Sequence, residues 1–102
     1  MELPDILLLK LSVQRGMLGR VTGNLAAVCA SLSERSIIVK MYFFNDMAED
    51  EYDDLDSMGG EILADFAEGY TIDMQFEPIG KFSQSSAEAL LFMRGEAEKI
   101  VG

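Results

Sequence analysis

The stretch LAAVCASLSERSIIVKMYFF, Leu25 to Phe44, decides the fold. Two apolar runs, Leu25–Leu32 and Ile37–Phe44, flank the polar link Ser33-Glu34-Arg35-Ser36. Short runs rich in branched and aromatic side chains, joined by a few polar residues, read as a β-hairpin. Side chains alternate across a strand. Ile37, Val39, Met41 and Phe43 therefore share one face, and Ile38, Lys40, Tyr42 and Phe44 share the other. The first face is uniformly apolar and is expected to meet helices. The second mixes two aromatic rings with a lysine.

Working outward, Leu3 to about Leu18 reads as a helix, with Pro4 in its first turn. Ile6, Leu9, Val13 and Met17 fall at helical spacing, and Leu7, Leu11 and Leu18 widen the stripe, so a well-buried helix is expected. Downstream, Met47 to about Glu68 reads as a second helix, with Tyr52, Leu55, Gly59, Ile62 and Phe66 as its apolar stripe. Asn45 or Asp46 suits its N-cap, and Gly69 its C-terminal end. Gly59-Gly60 in mid-helix predicts close packing or a bend. Tyr70–Ile79 alternates as a half-buried strand, Lys81–Ser86 is a polar loop, Ala87–Arg94 is a last strand, and Gly95–Gly102 reads as a frayed tail.

The predicted order is αββαββ, an α+β fold whose mainly antiparallel four-stranded sheet carries both helices on one face. Ile37, Val39, Met41, Phe43, Ile72, Met74 and Phe76 should form its core with Ile6, Val13, Leu55, Ile62 and Phe66. The chain's 102 residues suit one domain spanning 1–102, and an apolar content of 49% suffices to fill its core.

Charge is the strongest chemical signal. The net charge is −10, yet Met41–Gly80 holds twelve acidic residues and no Lys or Arg, leaving +2 on the remainder. Such a field repels nucleic acid and anionic membranes and attracts a basic protein. On the second helix Asp50, Asp54, Glu61, Asp65 and Glu68 follow one stripe opposite the apolar one, flanked by Asp53 and Asp56. None has a Lys or Arg three or four positions away. Like charges at that spacing disfavour a helix, so an uncompensated stripe reads as a docking surface rather than a solvated face. Asp50, Asp53, Asp54, Glu61, Asp65 and Glu68 are accordingly the candidate partner-binding residues. Tyr42 and Phe44 form a second candidate patch, because aromatic side chains near charge make strong contacts; burial under a loop is the alternative reading.

Several chemistries are excluded or unsupported. With no histidine, the usual general base, the Cys–His and Ser–His nucleophile systems and imidazole zinc sites are all missing. Asp50, Asp53, Asp54 and Asp56 lack the glycine-containing calcium-loop pattern. No catalytic residue, cofactor or metal site is assigned. The single cysteine, Cys29, sits among Leu25, Ala26, Ala27, Val28 and Ala30 and reads as a small buried hydrophobe in a reducing compartment. The acidic start with Glu2 and Asp5 is not a secretory signal, and a cytoplasmic protein is expected.

The segments Leu7-Leu8-Leu9 and Gln14-Arg15-Gly16-Met17-Leu18-Gly19-Arg20-Val21-Thr22-Gly23-Asn24-Leu25-Ala26-Ala27-Val28 resemble the N-terminal signature of a group of small bacterial proteins. The strand Ile37–Phe44, the acidic helix and Ile62-Leu63-Ala64-Asp65-Phe66 continue the likeness to about Phe76. The group is that of immunity proteins of contact-dependent growth inhibition and related polymorphic toxin systems. The resemblance implies a cytosolic inhibitor that blocks one cognate toxin domain, often a nuclease. A monomer or weak homodimer is expected. The alternative is another acidic protein-binding or adaptor module. Arg15 and Arg20, beside the turn after the first helix, are expected to act structurally, capping last-turn carbonyls or pairing with carboxylates.

Overall fold

The hairpin forms, and it lies at the centre of the sheet. The computed structural model describes residues 4–85 and 88–101. Strands β1 (Leu25–Ser33) and β2 (Ser36–Phe43) pair antiparallel through the expected turn. Helix α1 (Asp5–Met17) precedes them, and α2 (Glu49–Leu63), β3 (Thr71–Pro78), a 3-10 turn (Ile79–Lys81), β4 (Ala89–Met93) and a third helix, α3 (Gly95–Val101), follow. The predicted ends of α1 at Leu3, of the loop at Ser86 and of the last strand at Ala87, with the terminal Gly102, lie outside the described residues.

The strand order is β3-β2-β1-β4. β1 pairs antiparallel with β4, whereas β2 and β3 are parallel, so the sheet is mixed with two of its three pairings antiparallel. A parallel pair needs a crossover of a dozen or more residues. α2 supplies it, carrying the chain back across the sheet between β2 and β3.

The apolar face of β2 does meet the helices. Ile37, Val39, Met41 and Phe43 pack with Leu9, Val13, Leu55, Met58 and Ile62 in one buried cluster. Ile72, Met74, Phe76 and Phe66 are half-buried at its margin. Close approach depends on missing side chains at two points. A Cβ on Gly16 would stand 2.8 Å from Cγ of Met58, and one on Gly59 would stand 2.8 Å from Cγ of Met74. The close packing expected at Gly59 is thus against β3.

Several expectations need correction. α1 is not buried all round: Leu9, Ser12, Val13, Gly16 and Met17 face the core, while Ile6 (43% exposed), Leu7, Leu11 and Leu18 face solvent. One layer of helix on one sheet covers only a narrow stripe, which the wide apolar pattern overran. α2 ends at Leu63 rather than near Glu68, so Gly69 is not its cap; its φ of 93° instead serves the turn into β3. Ala48, not Asn45 or Asp46, is the N-cap, because Asn45 is held through its backbone by the Asn24 side chain.

The C-terminal segment is helix, not frayed tail. α3 covers the second face of β1, and Ala97 packs fully buried with Ala26, Ala27, Cys29, Tyr42 and Ile79. Strand β1 is therefore covered on both sides, and its small side chains admit a helix at close range. Arg94 fixes the entry to α3, its Nε donating to the Leu25 carbonyl (2.9 Å) and its Nη2 to that of Thr22 (2.8 Å).

Candidate functional site

The acidic residues of α2 divide into two sets once α1 is in place. With 3.6 residues per turn and Leu55, Met58, Gly59 and Ile62 facing inward, Asp54 and Glu61 fall on the flank beside α1. There Arg20 reaches across, donating through Nε to Asp54 Oδ1 (3.2 Å) and through Nη1 and Nη2 to the Glu61 carboxylate (3.1 and 2.5 Å). Arg20 also caps the carbonyl of Gly16 at 2.9 Å. Asp65 accepts from Ser12 Oγ (2.5 Å) and from the Arg15 guanidinium. The hydrogen bond from Arg15, then that from Ser12, holds the Asp65 carboxyl below its ordinary range. The hydrogen bond from Arg20 does the same for Glu61.

The stripe read from sequence thus contains a seam. Spacing along one helix sees only cations on that helix; those that neutralise Asp54, Glu61 and Asp65 come from α1 and the turn after it. Arg15 and Arg20 pair with carboxylates, and Arg20 caps a last-turn carbonyl, the contacts expected of them. Glu51 joins the same seam by accepting from Thr22 Oγ1 at 2.6 Å.

The outward face is centred elsewhere. Glu49, Asp50, Asp53 and Asp56 are exposed and share the arc opposite the buried stripe, and Glu68 is exposed in the turn beyond. Among the described residues none of these five carboxylates forms a salt bridge. The same residues gather no cluster of three or more carboxylates able to hold a metal ion. Asp50 and Asp53 of the candidate set, with Glu68, remain open carboxylates, and Glu49 and Asp56 join them.

The aromatic pair separates. Tyr42 is 2% exposed, lying edge-on to Phe82 with its ring centroid 5.0 Å away and its hydroxyl turned to the Ser83 carbonyl. A segment far along the chain covers it, so it offers no surface to a partner. Phe44 is half-buried and lines a cavity of about 390 Å³ with Met47, Tyr52, Phe76 and Pro78, rimmed by Asp46 and Glu77. Phe76, read as a core residue, and Tyr52, read as part of the helix's apolar stripe, meet there with ring centroids 5.1 Å apart, and Tyr52 is 46% exposed. The packing of α2 on β3 brings them together, and no local pattern announces that.

Cys29 is fully buried, and burial first, with the Glu88 charge second, pushes its thiol up to about 11. It is a packing residue. No described helix is long and apolar enough to cross a membrane.

Comparison with curated proteins gives no match. The family model described as MafI2 immunity protein matches residues 7–96. That span takes in the α1–α2 seam, all four strands and the first residues of α3; the chain belongs to the MafI2 immunity protein family.

Proposed function

We propose that this chain neutralises one cognate toxin domain by binding a basic surface of it through the open carboxylates of α2. The protein performs no catalytic step and works in the cytoplasm, as a monomer or weak homodimer, within contact-dependent growth inhibition or a related polymorphic toxin system. Membership of the immunity family carries this reading.

The charge distribution supports the finer part. Met41–Gly80 has no cation of its own, and Arg15 and Arg20 compensate only the carboxylates on the α1 flank. Asp50, Asp53 and Glu68 from the candidate set face solvent, with Glu49 and Asp56 beside them. A nuclease-type toxin carries Lys and Arg to hold phosphates. An acidic inhibitor competes for that surface and finds it quickly through long-range attraction. Asp54, Glu61 and Asp65 act at one remove, by holding α2 against α1.

Co-production with toxin domains of polymorphic toxin systems, starting with any encoded beside the gene, tests the reading. Growth should be restored in cells making the cognate toxin and not in cells making an unrelated one. Continued growth arrest, with the folded chain present in excess, would contradict it.

A further inference from the structure

The cavity beside Tyr52 has a defined chemistry. β2 and β3 run parallel, so their C-terminal ends reach the same edge of the sheet, and α2 begins a few residues after β2. Ligands of open α/β sheets bind at such carboxyl ends, where loops and helix starts leave a crevice. Here the walls are aromatic and apolar: Phe44, Met47, Tyr52 and Phe76. The rim is acidic. Asp46 and Glu77 form no ion pair among the described residues, and no Lys or Arg lines the space. The positive end of the α2 dipole is worth about half a charge. Glu49, Asp50 and Glu51 in the first turn outweigh it.

Resting on the proposed function, we infer that this cleft receives an arginine side chain of the toxin. Aromatic faces attract a cation and accept the flat guanidinium in stacking contact. Carboxylates at the rim match its fork of N–H donors. A lysine would use the charge but not the planar stack. An anionic or purely apolar ligand would meet the Asp46 carboxylate and the acidic first turn of α2 at the mouth, while Glu77 also borders a neighbouring pocket with Lys40 and Lys81. Long-range attraction by α2 and short-range capture by the cleft then fall on adjoining parts of one surface, since Asp53 follows Tyr52 directly in the chain.

The test is binding of the cognate toxin domain by wild type, Tyr52→Ala, Tyr52→Phe and Asp46→Asn/Glu77→Gln, with thermal melts of each. Tyr52→Ala should bind roughly tenfold or more weakly, through faster dissociation. Tyr52→Phe should stay near wild type because the ring face is kept. The double variant should weaken binding and, with no aromatic wall removed, melts like wild type. If wild type binds tightly and both Tyr52→Ala and the double variant bind within about twofold of it, the cleft inference is overturned and the immunity reading stands. If wild type itself does not bind the toxin, the proposed function fails and the cleft inference falls with it.

Discussion

Arg20 grips Glu61 with both arms of its guanidinium, Nη1 3.1 Å from Oε1 and Nη2 2.5 Å from Oε2, while Nε reaches Asp54. The arginine is only 18% exposed, so its stem packs as well as pairs. Arg20→Ala should lower the melting temperature by about 4–8 °C, the shift that ~1 kcal/mol produces in a domain of this size. Arg20→Lys should recover only part of it, because an ammonium cannot form the forked contact. Toxin affinity of the folded variants should change little; full stability with lost binding would overturn the structural assignment.

The same seam sets a pH dependence. Hydrogen bonds from Arg20 and Arg15 hold the Glu61 and Asp65 carboxyls below their ordinary values. A depressed folded-state pKa stabilises the fold above the unfolded-state value and ceases to do so as pH falls through the folded one. Urea midpoints should therefore be flat above the ordinary carboxylate range and fall below it. In Glu61→Gln and Asp65→Asn the acid limb should be shallower. An unchanged acid limb in both variants would show that the seam contributes nothing to acid sensitivity.

Most of the architecture was legible because it depends on local periodicity. Ile37, Val39, Met41 and Phe43 announce a buried strand face wherever the strand is placed, and they lie in the main core. What stayed hidden depends on distant partners. The acidic stripe was read without Arg15 and Arg20, which lie tens of residues away and cancel part of it. Tyr42 looked available because the Phe82–Ser83 segment that buries it has no local relation to β2. α3 was missed because its seven residues are too few for a periodic signal. Its sign was indirect: Ala26, Ala27 and Cys29 on β1 are small enough to lie beneath a second layer.

That second layer gives its own expectation. Ala97 is fully buried against β1. Ala97→Asn places an unpaired amide there and should cost about 1–3 kcal/mol, measured by urea denaturation. A variant as stable as wild type would mean that α3 is only loosely docked.

Cys29 offers a chemical probe of the same layer. The thiolate is the reactive form, and burial pushes this thiol up to about 11. Ellman's reagent at mildly alkaline pH should leave native protein unmodified and titrate one thiol after denaturation. Rapid labelling of the native protein would contradict the packing of α3 over β1.

Steering by the outward carboxylates of α2 is the central claim. Its most direct measurement is stopped-flow association with the toxin domain across a salt series, comparing wild type with Asp50/Asp53/Asp56/Glu68→Lys. These four positions are exposed and outside the Arg15–Arg20 seam, so the variant should melt like wild type. Exposed charges are screened beyond about 8 Å at physiological ionic strength. Wild-type association should slow steeply as salt rises. The variant should associate at least about tenfold more slowly at low salt, with a flattened salt dependence. Equal rates and equal salt slopes, with both proteins folded, would show that the acidic face of α2 serves solubility alone.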